Sequence, residues 1–498
     1  MTLLELPWLD ASIATTLVGA LWVGRVRDPI RAARLGLAFT ALAFGGTFLA
    51  WLAFYSGADP AAIADASPQV RLFGRRVLAL DELSAPLVPA VALLHFLTAL
   101  ATTRTKMRRF SFAWSLTSET IRLAMFSCRA SWLLVLLLTL CAIPPYFELR
   151  NRGRPTRVYA AHMGLFVALL VLGWAGVEAS RGAAPPTWAA VLLMAAILVR
   201  CGTVPAHCWA TDWFEHASFG VALLFVAPLA GVYAAVRLVL PIAPAWVLQG
   251  IGIASLFTAV YAAGMAAIQR DCRRLFANLF LSHASLVLVG LELHTEMSLT
   301  GSLCLWFSVI LSLGGFGLTI RALEARYGRL PLAGHLGLYE HSPSLAACFL
   351  LTGLACVGFP GTLGFISAEL VVDSAVEVSP YVGIAVVAAA ALNGIAVVRA
   401  YLILFAGARH VSSVPLGIVA RERLAVLTFS ALILGGGLFP QPGVTTRHKA
   451  AAAILEERRG LMEGPARPVD SSRDEAPDGR EGAESPRPRG GPGPIMHR

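Results

Sequence analysis

Apolar runs of about 18 residues or more recur along the whole chain, separated by short polar stretches. A run of that length suits a helix crossing the hydrocarbon core of a bilayer and exceeds what a soluble domain buries as one helix. The pattern predicts about fourteen spanning segments: 8–24, 35–55, 83–102, 111–127, 131–147, 158–178, 187–204, 218–240, 245–268, 276–293, 299–321, 345–374, 380–406 and 421–438. Two of them are interrupted in the same style. Segment 7 meets Arg200 near membrane depth and then breaks at Gly202 and Pro205. Segment 12 is too long for one span and breaks at Gly358-Phe359-Pro360-Gly361, before Glu369 and Asp373.

The two breaks lie five segments apart. Successive units of five helices have opposite orientations because five is odd, and paired broken helices in inverted repeats point to a transport site near the midplane. The expected fold is an all-α polytopic membrane protein with two inverted five-helix repeats, each containing a broken helix. Residues 1–110 would hold helices 1–3, 111–240 the first repeat, 245–410 the second, and 421–440 the last span. After Pro440 the apolar signal stops, so 441–498 reads as a polar, largely disordered tail. Within it, 449–462 fits a short interfacial helix as well as it fits solvated chain.

Charge adds a topology. Arginines cluster after segments 1, 3, 5, 9, 11 and 13, among them Arg25, Arg104, Arg150, Arg270, Arg321 and Arg409. The connections after segments 8, 10 and 12 have no Lys or Arg. By the positive-inside rule the odd-numbered connections are cytoplasmic and both termini lie outside, as expected of a protein of the bacterial inner membrane. The connection after segment 2 (Arg71, Arg75, Arg76) breaks the alternation, but it is long and also holds Asp59 and Asp65. The formal net charge of +10 therefore speaks of topology and not of nucleic acid. The start of the chain has no basic n-region or small-residue cleavage site, so no removable signal peptide is expected.

Composition agrees with the pattern. The chain is 57% hydrophobic and only 14% charged, against roughly 25% charged in soluble domains. Its eight cysteines form no CxxC pair, which argues against a disulfide framework, an iron–sulfur cluster or structural zinc. No Gly-rich nucleotide loop follows a strand, so no cofactor is expected in this chain. Arg200 stands out: an arginine near the bilayer centre costs about 2.5–3.5 kcal/mol on insertion scales and needs a carboxylate, a carbonyl or water. Cys201, His207, Cys208, Asp212, Glu215 and His216 lie close in sequence, but their spacing fits no tetrahedral metal site.

Pro205-Ala206-His207-Cys208-Trp209-Ala210-Thr211-Asp212 resembles the Pro-x-His-x-Trp-x-x-Asp signature of the antiporter-like membrane subunits of proton-pumping NADH:quinone oxidoreductase (complex I). Subunits of cation/proton antiporters and of membrane-bound hydrogenases share that superfamily. Further matches follow in order. Asp81-Glu82-Leu83-Ser84 looks like the motif opening the family's third helix, and Asp271-Cys272-Arg273-Arg274-Leu275 with Ser282-His283 like its Asp-x-Lys-Arg-Leu…Ser-His. Gly358, Pro360, Gly361 and Glu369 look like its broken twelfth helix, and Arg399 falls in the next one.

The resemblance implies an inverted-repeat fold, membrane subunits as partners, and proton movement along a midplane chain of lysines, glutamates and histidines, coupled to electron transport elsewhere in the complex. The departures matter as much. The family's fifth-helix glutamate would fall at Thr139, its seventh-helix lysine at Arg200, and its eighth-helix lysine within Pro228-Leu229-Ala230-Gly231. The titratable positions of its eleventh helix would fall near Trp306 and Ile310. Arginine stays charged and cannot pass a proton on as lysine can. The expected path residues are thus His283 and Glu369, with Arg200 as a fixed cation and Glu119 in place of the lost carboxylate. Local readings compete: Glu119 pairing Arg122 one turn on, Glu369 pairing Arg399, His283 as a core histidine, and His207 with Asp212 bracing the broken helix. At the level of function, the alternatives are a Na⁺/H⁺ antiporter-type subunit, energy-coupled inorganic-carbon uptake, and a scaffold that no longer conducts.

Overall fold

The computed structural model describes residues 3–59, 76–102, 110–180, 185–293, 295–407 and 417–463, with a few isolated positions between 61 and 69 and at 107. Among these the chain is helical and forms no strand, only two isolated bridges, Leu78–Cys128 and Asp271–Pro331. Eight described helices are long and apolar enough to cross a membrane, and a ninth if the pair at 420–461, bent by 80°, is one span.

The N-terminal group comprises α1 (Trp8–Val23), α2 (Pro29–Tyr55) and α3 (Leu87–Leu100). Asp28 caps α2 through the Ile30 and Arg31 amides, with Pro29 at its first position. α4 (Phe112–Phe126) follows, then α5 (Ser131–Cys141) and α6 (Ile143–Asn151), separated where Pro144 and Pro145 remove backbone donors. α7 (Arg157–Ala179) packs on α8 (Thr187–Cys201). Gly173 lets the pair close, because a Cβ there would meet Leu193 at 2.8 Å.

α8 ends where Gly202 turns left-handed, φ 73°, and the chain resumes as α9 (Cys208–His216). The predicted break in segment 7 is therefore present. Segment 8, expected to be continuous, is broken too. α10 (Phe219–Val226) stops at Pro228, Leu229 takes φ 53°, and α11 (Ala230–Ala234) runs into a wide π turn over Ala235–Val239. Proline withdraws the donor there, and burial holds Leu229 in a conformation L-residues avoid.

α12 (Ala245–Ile268), α13 (Cys272–Glu292) and α14 (Glu296–Tyr327) form the second half's centre, α13 and α14 almost wholly buried. α14 has 32 residues, so it runs past Arg321, which sequence places in a connection. Arg321 is instead buried, donating to the Thr98 carbonyl at 2.8 Å and to Thr102 at 2.7 Å, beside the Phe110 ring. Segment 12 breaks as predicted into α15 (Pro343–Cys356) and α16 (Leu363–Val378), with Gly358 and Gly361 both at positive φ. α17 (Pro380–Phe405) and α18 (Ala420–Leu438) complete this half.

The helix that 449–462 offered is present and longer, α19 (Gln441–Glu463), so the start of the expected tail is helical instead of disordered. Arg447, Ala450, Ala451, Ile454 and Leu455 are buried along one face at helical spacing. The individual residues of that stripe are too small and too mixed with charge to register as apolar in sequence. The proposed disorder of 464–498 concerns residues outside those described, as do Arg71, Arg75, Arg104 and Arg409.

Candidate functional site

Arg200 ends α8 one residue before the last helical position, pointing into the bundle with 4% of its surface exposed. Its guanidinium lies 4.3 Å from the centroid of Phe225 on α10 and 5.7 Å from that of Trp209 on α9. Its Nη2 has no hydrogen-bond partner among the described residues, so neither a carboxylate nor snorkelling to the interface accounts for it. A cation over ring faces in a dry site gains on the order of 2 kcal/mol, which offsets part of the insertion cost.

Phe225 carries a second cation. The guanidinium of Arg122, on α4, lies 5.9 Å from the same ring and is fully buried. Arg122 Nη1 donates to the Ser118 carbonyl at 3.2 Å and contacts His95 Nε2 at 3.4 Å. Glu119 is fully buried on the same helix, and neither of its oxygens has a hydrogen-bond partner. The anticipated local pair of Glu119 with Arg122 is thus not closed as a hydrogen bond. Arg122 and Arg200 thus share Phe225, with His95 against Arg122 and Glu119 one turn back on the same helix. Sequence reading named Arg200 and Glu119 but missed His95 and the central role of Arg122. A histidine in an apolar helix and an arginine beside a glutamate were the available signals.

The broken helix is braced by an element of its own signature. Trp209 Nε1 donates to the Val199 carbonyl at 2.9 Å, tying α9 to the last turn of α8. His207 and Asp212 do not perform that task. His207 contacts the Pro205 carbonyl at 3.3 Å and the Tyr261 ring, whereas Asp212 pairs with His216 at 3.2 Å in its own helix. An i,i+4 partner was closer than the break. At its other end α9 is held by the second motif. Asp271 caps α13 by accepting from the Arg273 and Arg274 amides. Arg273 then binds Glu324 bidentately at 2.6 and 2.7 Å, and donates to the Phe214 and Ala217 carbonyls at 3.2 and 3.0 Å. Arg274 pairs with Glu215 at 2.6 Å, and Arg329 reaches the Glu215 carbonyl. Three arginines thus neutralise the carbonyl end of α9.

The second polar locus surrounds His283 on α13. Its Nδ1 faces the Leu279 carbonyl at 2.6 Å and its Nε2 the Cys356 carbonyl at 2.5 Å, at the edge of the second break. Carbonyls only accept, so only a doubly protonated ring donates to both. A cavity of about 30 Å³ adjoins it, lined by His283, Cys356, Val371 and Asn393. Asn393 donates to Ser282 at 2.8 Å while its own oxygen is unpartnered, a polar end for a space large enough for one water.

Glu369 is not part of either locus. It lies exposed on the outer face of α16, as does Asp373 one turn on. Arg399 does not pair with it, but donates to the Gln269 carbonyl at 3.0 Å. Between the loci the positions that lack the family's titratable groups meet. Trp306 Nε1 donates to the Pro228 carbonyl at 3.1 Å, and Trp306, Tyr233 and Phe126 form a fully buried aromatic cluster.

Asp81 and Ser84 exchange hydrogen bonds at 2.8 and 2.9 Å ahead of α3. Asp81 also binds Arg237, on the π turn, and lies 3.8 Å from Arg129. Burial alone would raise the Asp81 carboxyl, but the Arg237 guanidinium outweighs it and, with Ser84, holds it below the ordinary carboxylate range. Among the described residues no group of three His, Cys, Asp or Glu side chains could hold a metal ion.

The family described as NADH:quinone oxidoreductase/Mrp antiporter, transmembrane, matches residues 160–393. His95, Glu119 and Arg122 lie upstream of that match. NADH-quinone oxidoreductase subunit M of Pseudomonas aeruginosa is 26% identical over 419 residues, covering 73% of this chain and 79% of the relative. NAD(P)H-quinone oxidoreductase chain 4 1 of a Nostoc species is 24% identical, covering 93% and 94%. In fold, the chain resembles a subunit of respiratory complex I from Thermus thermophilus, with TM-score 0.79 at 22% identity over 90% of this chain and 99% of that one. It also resembles a chain of the Mrp complex from a Dietzia species, with TM-score 0.77 at 18% identity over 93% and 99%. Motifs, broken helices and relatives agree: residues 160–393 match the NADH:quinone oxidoreductase/Mrp antiporter transmembrane family, and the chain as a whole is similar to the antiporter-like multi-pass membrane subunits.

Proposed function

We propose that this chain moves protons as one membrane subunit of a complex-I-like assembly, its transport coupled to electron transfer in partner subunits. The observation that carries this reading is the buried Glu119–Arg122–Arg200 group beside the first broken helix. Ionisable residues at such depth are costly and serve ion pathways when they persist. In this reading the fourteen segments all span, and residues 111–240 and 245–410 are inverted repeats. The left-handed glycines Gly202 and Gly358 at equivalent breaks support that relation. The arginine pattern favours the bacterial inner membrane with both termini on the non-cytoplasmic side.

Glu119 and His283 serve as proton-exchanging groups, one in each half, and Arg200 as a fixed cation that biases them. Glu369 and Asp373 face outward from a spanning helix, where lipid would oppose their charge. A neighbouring membrane subunit over that face removes the conflict and makes Glu369 a lateral exchange point. The test is proton flux in vesicles holding the whole complex. Glu119→Gln, His283→Ala and Glu369→Gln each lower flux, and unchanged flux in all three refutes the conduction roles.

The Trp306–Pro228 contact favours a second reading, a scaffold that no longer conducts. A fully buried aromatic cluster occupies the space where relay groups would be. Absence of flux in the wild-type complex, with the partner reaction intact, selects it.

A further inference from the structure

We propose that His95, on α3, is a proton-accepting station opened and closed by the side chain of Arg122. It deepens the conduction reading above and rests on it. Two contacts fix its chemistry. His95 Nδ1 lies 3.0 Å from the Val91 carbonyl, which can only accept, so Nδ1 carries the hydrogen. Nε2 faces Arg122 Nη1 at 3.4 Å, and a guanidinium can only donate. The ring is therefore the Nδ1–H tautomer with its Nε2 lone pair directed at the arginine. Arg122 has a second possible partner three residues back on the same helix face: Glu119, fully buried and with both oxygens unpartnered. Its Nε is unpartnered as well. One buried cation thus sits between a base it engages and a carboxyl group it does not.

The two engagements exclude each other. Once Nε2 binds a proton it is a donor, and it repels the guanidinium. Movement of Arg122 onto Glu119 frees the lone pair and neutralises the carboxylate at once. One step balances this: the O–H bond of a protonated Glu119 breaks, an N–H bond forms at His95 Nε2, and Arg122 pairs with the carboxylate left behind. One proton moves and no electron does, and the group's summed charge is unchanged. The charged groups facing the site are Arg122 and Glu119 from α4 and Arg200 from α8 across Phe225. Arg321, from α14, engages the same helix one turn further on, at Thr98. Of these Glu119 alone has a carboxyl group, and it makes no hydrogen bond to His95.

Two measurements test the role. In the full chain in lipid bilayers with isotope-labelled histidine, nuclear magnetic resonance should show His95 with Nδ1 protonated and Nε2 bare. Arg122→Met should change that signature. An Nε2–H tautomer overturns the assignment. In vesicles holding the whole complex, His95→Phe and His95→Gln should lower proton flux roughly tenfold or more. His95→Gln keeps a hydrogen-bonding partner for Arg122 and so separates packing from proton exchange. A conducting wild type whose two variants conduct equally well overturns the role of His95 alone. A wild-type complex that moves no protons overturns the conduction reading itself, and this role with it.

Discussion

Phe225 is approached by two guanidinium groups, Arg200 at 4.3 Å and Arg122 at 5.9 Å. Ring faces are the solvent that keeps these like charges in the bundle, and the ring's removal exposes their repulsion. Trp306 makes a complementary choice. Its indole satisfies the Pro228 carbonyl, freed where proline interrupts the helix, with an apolar surface in place of a titratable one. Trp306→His is expected to admit water and a proton-exchanging group between the two polar loci. Proton leak through vesicles holding the complex should rise above wild type, whereas Trp306→Phe should leave leak unchanged. Equal leak in all three would show that the cluster insulates nothing.

The broken helices depend on individual backbone positions. Gly202 has φ 73°, and a Cβ there would lie 2.5 Å from Leu281 Cδ2. Gly202→Ala therefore meets both backbone strain of about 1–2 kcal/mol and a collision with α13. Trp209→Phe removes the indole hydrogen bond to the Val199 carbonyl, which keeps its bond from the Gly202 amide, and leaves a smaller ring beside Arg200, costing about 0.5–1.5 kcal/mol. Thermal unfolding of the purified chain should rank the variants Gly202→Ala below Trp209→Phe below wild type. Trp209→Phe equal to wild type would remove the bracing role. These elements were partly legible in sequence, because Gly and Pro interrupt apolar runs at 202–205 and 358–361. The break at Pro228-Leu229 was not: no glycine marks the left-handed position, and only burial selects Leu229 for it.

At the scale of the molecule, distant segments are joined by arginines bonded to backbone or carboxylate. α19 runs across the ends of other helices. Arg447 reaches the Glu82 and Leu83 carbonyls ahead of α3, and Arg458 the Leu240 and Ala243 carbonyls beyond α11. Asp81 joins the same two regions through Arg237. Its carboxyl is held below its ordinary value, so its contribution is present above the unfolded-state value, about pH 4. It is lost as pH falls through the lower folded-state value. Asp81→Asn, which leaves Arg237 without its anion, should cost on the order of 3 kcal/mol at neutral pH. The difference in unfolding temperature from wild type should stay constant from neutral to mildly acidic pH and shrink below about pH 4. A difference that does not shrink would mean that the charge of Asp81 is not what matters.

The chain's sequence by itself determined the apolar solvent, the helical class, the breaks at 202–205 and 358–361 and the family resemblance. Each of these follows from local composition, since apolar length, Gly and Pro placement and short motifs act on neighbouring residues. Arg200 and Glu119 were visible because charge in an apolar run stands out. Only the tertiary structure decided what those charges face. Helix packing set His95 and Arg122 beside them, turned Glu369 outward, buried Arg321 and laid α19 over the bundle. Partners of a buried ion come from helices far apart in the chain, and no local pattern specifies which helix face meets which.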